Sequence, residues 1–299
     1  MTNRLVLATV GLVAVLIGAN FTVLKFALDH TTPLLLAGMR TVLGGTALLG
    51  YALVRGERIP TEGAILRRIF VVSFSITTVS SGLLIVGVNR VPAGVASLVA
   101  STMPLFTAIL AFVLMGVAVS RLGLAGLAIG FTGTLVLASP SLQGETAAIG
   151  IAALVVSALA WAFGNVFLKW KDFGSTTPIM LVGVQLVMSA AVLVPFALLV
   201  EGAGRTDWSV GLLVPLLYAA IPANAVTFAL MAMVAQRASP TQAAATAYLI
   251  PVFGVFFGWI IRDEVLGLTE LVGGLLVVGG VYALVTSTAR AAAAATTTA

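Results

Sequence analysis

Apolar runs of about twenty residues, separated by short clusters of charged residues, Gly and Pro, repeat along this chain from end to end. A helix needs about 20 residues to cross about 30 Å of hydrocarbon. Runs of that kind occupy 5–28, 33–55, 69–88, 93–116, 121–139, 147–170, 178–200, 209–235, 240–261 and 268–288. Most hold no charge, and the whole stretch from Val91 to Ser120 lacks Asp, Glu, Lys and Arg. Pro33, Pro92, Pro178 and Pro240 stand near run starts, where a missing N–H costs a helix nothing. The pattern predicts an all-α integral membrane protein with ten transmembrane helices. The first run follows Arg4 as a signal peptide would, but no clean A-x-A site ends it, so it is read as a retained helix.

Composition sharpens this picture. Charged residues make up 8% of the chain and hydrophobic ones 60%, whereas a water-facing domain carries about 25% charge. Soluble, collagenous, coiled-coil and disordered classes fail together. Cysteine is absent, which removes disulfides, thiolate nucleophiles and thiolate metal sites. The formal charge of +5 is scattered between apolar runs and forms no patch, so it points to anionic lipid and not to nucleic acid. Its distribution orients the chain. Arg55, Arg58, Arg67 and Arg68 crowd the second loop, and alternation puts Arg4, Arg121, Lys169, Lys171, Arg237 and Arg290 on the same side. Only Arg90, Arg205 and Arg262 fall opposite. The positive-inside bias therefore predicts cytoplasmic N- and C-termini (N-in, C-in) and a multi-pass protein of the bacterial inner membrane.

An internal repeat is visible. A shift of 147 residues carries Arg90, Pro104, Phe106, Gly126 and Gly133 onto Arg237, Pro251, Phe253, Gly273 and Gly280. A shift of 145 carries Asn20, Thr32 and Pro33 onto Asn165, Thr177 and Pro178. Each half holds five spans, an odd number, so the halves are expected as inverted five-helix repeats: residues 1–141 and 142–290, followed by a disordered tail, 291–299. Inverted repeats are the architecture of many secondary transporters, with the substrate held near midplane where the repeats meet.

The segments GANFTVLKFALDHTTP, AFGNVFLKWKDFGSTTP and YLIPVFGVFFGWIIRDEVLGLTELVGGLLVVGGVYAL resemble the drug/metabolite transporter superfamily, EamA type, and the resemblance covers about residues 5–288. It departs where Met115, Gly116 and Val117 stand against Arg262, Asp263 and Glu264. The resemblance implies two four-helix bundles, spans 3, 4, 6 and 7 facing 1, 2, 8 and 9, with spans 5 and 10 at the periphery. Among ten-helix members the chain is similar to the bacterial exporter of aromatic amino acids.

Polar residues inside the spans nominate a substrate site. Asn20 and Asn165 occupy equivalent points, and a carboxamide in hydrocarbon either faces a wet cavity or ties helices together. Ser73, Thr77, Ser80 and Ser81 form a stripe on the third span, with Asn224 and Thr227 at the positions of Thr77 and Ser80 in the second half; they line a wetted wall or bond to their own helix. Trp161 precedes Asn165 by one turn, and Tyr248 matches Ser101; both lie mid-span, away from the interface belt. Phe228 and Met103 supply apolar walls at the same depths. Pro104 and Pro251 interrupt equivalent spans as hinges or static kinks. Lys25 is four residues from Asp29, which allows an i,i+4 pair, and Lys169 lies almost opposite in the repeat. These two lysines are gate candidates, against snorkelling as the plainer role. Arg40 lies about 10 Å along the second span and has no partner legible in the sequence.

What the chain lacks bounds the chemistry. There is no GxxxxGK[ST] loop and no HExxH, and the single His30 adjoins no carboxylate cluster in sequence. No Asp or Glu lies mid-span, so a proton or sodium relay is not supported. The expectation is a secondary transporter, not an enzyme, exporting small amphipathic metabolites by alternating access as facilitator or exchanger. The resemblance points to aromatic and other neutral hydrophobic amino acids; an uncoupled channel or an exporter of other drugs or metabolites is the alternative. The expected partners are a small-molecule substrate and membrane lipid, with no cofactor, metal, nucleic acid or ATPase subunit.

Overall fold

The computed structural model describes residues 3–139, 145–202, 204–228, 230–231 and 240–297; the side chains of 3, 4, 6, 138, 240–248 and 288–297 stand outside that description. The regular elements among the described residues are all helical, without strands. Among the described residues ten rods follow in chain order: α1 (Asn3–Leu28), α2 (Pro33–Val54), α3 (Gly63–Val88), α4 (Ala93–Met115), α5 (Arg121–Ala138), α6 (Glu145–Trp170), α7 (Pro178–Val200), α8 (Val210–Val226), α9 (Pro240–Arg262) and α10 (Leu268–Thr297). Seven rods are long and apolar enough to cross a membrane, and apolar helical stretches in α5, α8 and α9 are shorter. Val54, Leu135, Leu199 and Leu275 are each at least 72% exposed, an apolar outer surface that suits lipid and not water.

Two boundaries differ from the sequence reading. α3 begins at Gly63, six residues before its apolar run, because a helical backbone continues through Arg67 and Arg68 while their side chains reach the rim; Arg68 Nη1 donates to the Asp172 carbonyl at 2.6 Å. α10 runs to Thr297, through most of the stretch expected to be a tail. Its last turns are an alanine run, the best helix former. The eighth run was read to 235, and its end falls outside the described residues.

Packing follows a regular scheme. α5 lies along α10, α2 along α7, and α4 against α9. α1 meets α9 and α8, while α6 meets α4 and α3; α3 packs on α7, and α8 on α2. Advancing every helix by five positions maps this set of neighbours onto itself. The α5–α10 contact is backbone to backbone. A Cβ on Gly126 would stand 2.6 Å from the Gly280 carbonyl oxygen, and one on Gly133 2.6 Å from the Val277 nitrogen and 2.7 Å from the Gly273 oxygen. Small residues let helices approach this closely in lipid, where dispersion and not the hydrophobic effect holds them together. The register is antiparallel, Gly126 beside Gly280 and Gly133 beside Gly273.

The helix ends are closed by acids from distant rods. Glu201, just past α7, accepts the Leu34 and Leu35 N–H groups at 2.9 and 3.1 Å, capping the first turn of α2. Reciprocally, Glu57, just past α2, holds the hydroxyl of Thr177, whose oxygen caps α7 at Met180 N–H (3.2 Å). α4 ends on Gly116 at φ +69°, a left-handed cap. Asp263 stands at the matching point after α9 with φ +52°, which Asp tolerates better than most side chains.

Candidate functional site

Two of the nominated aromatics meet. Trp161 of α6 stacks on Phe228, two residues past α8, with ring centroids 6.0 Å apart and planes 22° from parallel. Both are partly exposed. One turn along α6, Asn165 Nδ2 donates to the Trp161 carbonyl at 3.1 Å. That bond leaves the Asn165 oxygen and second N–H for another partner. The resemblance assigns α6 and α8 to different four-helix bundles, and this aromatic pair joins the two helices.

The polar stripe of α3 is mostly engaged in holding helices together. α3 relaxes to a π-helix over Ser73–Ser81, and α8 does so at the matching place, Ile221–Val226. Such bulges break the regular hydrogen-bond ladder and re-aim side chains. Thr77 accepts from Gln185 Nε2 of α7 at 2.8 Å, and Ser73 donates to the Gln185 carbonyl at 2.6 Å. Thr78 donates to Ser189 at 3.0 Å; Ser80 and Ser157 of α6 lie 3.0 Å apart. Ser81 accepts from Arg40 Nη2, which supplies the partner that the sequence does not reveal. Thr77, Ser80 and Ser81 are at most 4% exposed. Gln185, missed in the sequence, is the same kind of signal as Asn20: a carboxamide inside an otherwise apolar run.

In the second half, Asn224 is buried and its amide lies 3.5 Å from where a Cβ on Gly44 of α2 would be. Thr227 bonds back to its own helix at the Ala223 carbonyl, 2.7 Å away. Asn20 is buried, with its Oδ1 unpartnered among the described residues. Met103 is partly buried against the main core.

The two prolines differ. α4 breaks between Ala100 and Met103, just before Pro104, whereas α9 runs unbroken through Pro251. Tyr248 lies outside the described side chains. Lys169 is exposed at the far end of α6 and joins none of this.

Lys25 has a different partner from the expected one. It pairs with Glu264 at 3.8 Å and not with Asp29; Asp29 instead accepts from Arg262 at 3.3 Å. The left-handed turn at Asp263 returns the chain so that Glu264 overlies α4. There its two oxygens accept the Ala93 and Gly94 N–H groups at 2.9 and 3.1 Å. The helix dipole of α4 and the ammonium of Lys25 together outbid an exposed i,i+4 contact. Arg262 also covers the Phe26 ring at 4.9 Å. α1, α4 and α9 are thus tied at one end of the bundle. His30 likewise meets a carboxylate invisible to local sequence: its Nδ1 lies 3.1 Å from Asp207 Oδ2, and a cleft of about 430 Å³ lies beside it between Asp29, Thr32, Asn89 and Arg205. No group of three His, Asp or Glu among the described residues is placed to hold a metal.

Residues 5–139 and, separately, 148–286 match the EamA-like transporter family. The chain is 31% identical to a probable amino-acid metabolite efflux pump of Salmonella typhimurium, over 91% of each protein. It is 27% identical to the uncharacterized transporter YvbV of Bacillus subtilis, over 93% of this chain and 90% of that one. It is 28% identical to the uncharacterized inner membrane transporter YedA of Escherichia coli, over 85% and 81%. A crystal structure shares the fold at 19% identity, with a TM-score of 0.65 and coverage of 94% of this chain and 97% of that one.

Proposed function

This chain belongs to the EamA-like transporter family, and from that premise we propose that it exports small amphipathic metabolites, foremost aromatic and other neutral hydrophobic amino acids, across the bacterial inner membrane. It works by alternating access, as a facilitator or exchanger, through two inverted halves, 1–141 and 142–290. The separate family matches to each half support that division, as do the self-mapping helix contacts and the antiparallel α5–α10 seam. The similarity to an amino-acid metabolite efflux pump supports the substrate class.

The observation that carries the reading is the Trp161–Phe228 stack beside Asn165. A phenyl or indole side chain placed against it gains about 0.5–1.5 kcal/mol beyond area burial, about three- to tenfold in affinity. The Asn165 amide offers hydrogen bonds to the amino-acid backbone, which every such substrate shares. Substrates lacking an aromatic ring use only the second contact.

Initial-rate uptake into liposomes tests this. Trp161→Ala is expected to slow phenylalanine and tryptophan about three- to tenfold more than alanine, while Asn165→Ala slows all three. Equal losses for every substrate in Trp161→Ala, with unchanged thermal stability, would remove the ring from the binding site. Wild-type liposomes preloaded with substrate are expected to show trans-stimulation, which a channel does not.

Orientation has its own check. Reporter fusions after residue 60 and after Gln143 are expected on opposite faces of the membrane, the first cytoplasmic. Both on one face would overturn the inverted arrangement.

A further inference from the structure

Arg40 presents a charge problem that the fold leaves open. Its side chain is only 8% exposed, about 10 Å along α2 from Pro33 at 1.5 Å per residue. A guanidinium has five N–H donors and stays protonated in proteins. Here one nitrogen donates to the neutral hydroxyl of Ser81, and the buried Nε has no partner among the described residues. A buried cation left so is costly unless an anion joins it.

No carboxylate among the described residues is placed to join it. All ten Asp and Glu residues lie outside the middle of the spans. Glu201 and Glu57 are committed to capping α2 and α7, Asp207 faces His30, and Asp29 and Glu264 are held by Arg262 and Lys25. Meanwhile Asn20 of α1 has a buried, unpartnered Oδ1. It lies eight residues from Leu28, the end of α1 on the side where α2 begins, hence about 12 Å deep and at nearly the depth of Arg40. An orphan donor and an orphan acceptor at one level complement a zwitterion.

We propose that Arg40 receives the carboxylate of the transported amino acid, in the fork geometry that guanidinium offers, while Asn20 Oδ1 accepts from its ammonium, at a station nearer the α1–α2 end than the Trp161–Asn165 contact and visited separately from it. This rests on the amino-acid reading above. Ser81 holds the guanidinium in place from the π-helical stretch of α3, where the broken hydrogen-bond ladder lets the helix give as substrate enters. Both side chains are buried in this structure, so they are reached when α2 and α3 part. An inorganic halide offers the same charge, and the test separates the two.

Ligand-induced thermal stabilisation of the purified protein in detergent, in a sulfate buffer, compares phenylalanine, 3-phenylpropionate, phenethylamine and sodium chloride. In the wild type, phenylalanine and 3-phenylpropionate are expected to stabilise and phenethylamine to do so least. Arg40→Gln is expected to weaken both carboxylate ligands at least about tenfold, with phenethylamine unaffected. Arg40→Lys keeps the charge, guards against a folding defect, and is expected to weaken them several-fold for want of the planar fork. Unchanged phenylalanine affinity in both variants would overturn the proposal. So would a wild-type response saturated by chloride alone, with nothing added by phenylalanine. If 3-phenylpropionate binds in an Arg40-dependent way and phenylalanine does not bind at all, Arg40 stands as the carboxylate receptor and the amino-acid reading falls.

Discussion

Gly280→Leu is expected to abolish the folded protein, whereas Gly279→Leu, one residue away, is expected to leave it intact. A Cβ at Gly280 meets the backbone of Gly126 and Gly130 on α5, and backbone cannot step aside as a flexible side chain can. Overpacking a core costs about 1–3 kcal/mol even where side chains relax, and separating two helices along their glycine seam also forfeits the dispersion contacts on either side. At Gly279 nothing lies within 4 Å of the added atom, so a leucine there faces open space or lipid. Size-exclusion profiles and thermal midpoints of the two variants in the same detergent decide the matter. A monodisperse Gly280→Leu with a wild-type midpoint would mean that the α5–α10 seam is not packed as described.

Glu264→Gln is expected to open the bundle end that Lys25 and Glu264 close, and Glu264→Ala to do so with an added loss of stability. The carboxylate joins three rods: its oxygens cap α4 at Ala93 and Gly94, and Lys25 of α1 lies 3.8 Å away. Glutamine retains a carbonyl for one α4 N–H but loses the charge that holds Lys25. Alanine loses the cap as well, for about 0.5–2 kcal/mol. Because the chain contains no cysteine, a single Met103→Cys background reports access cleanly. The labelling rate of an impermeant maleimide added from the α1–α2 end is expected to rise several-fold in Glu264→Gln. An unchanged rate with a lower thermal midpoint would make Glu264 a helix cap and nothing more.

The Lys25 pairing shows where local sequence stops informing. Asp29 is one turn away and was the available partner by spacing, yet the ion pair that forms reaches 239 positions along the chain, from residue 25 to 264. The resemblance had already marked the Arg262–Asp263–Glu264 turn as having no counterpart in the first half. That departure was the signal, and only the fold shows its use. The α3 stripe teaches the reverse lesson. A row of hydroxyls reads as a wet wall or as self-bonded to its own helix, and the structure adds a use that spacing does not show: Thr77, Thr78 and Ser80 bond to Gln185, Ser189 and Ser157 on neighbouring helices.

By itself the sequence determined that the chain is helical and lipid-solvated, and where most rods begin and end. Those properties follow from apolar length, the position of Pro and the scarcity of charge, each of which acts within one run. It also placed Trp161 and Asn165 on one face, since a turn of helix is a local fact. Which rod lies against which, that Trp161 meets Phe228, that Glu201 closes α2, and that Arg40 meets Ser81 were decided by tertiary structure. A serine, a glutamate or a ring carries no address for its partner. The pairing is chosen by the whole set of helix contacts, and small residues such as Gly126 and Gly280 set those contacts by letting particular backbones approach.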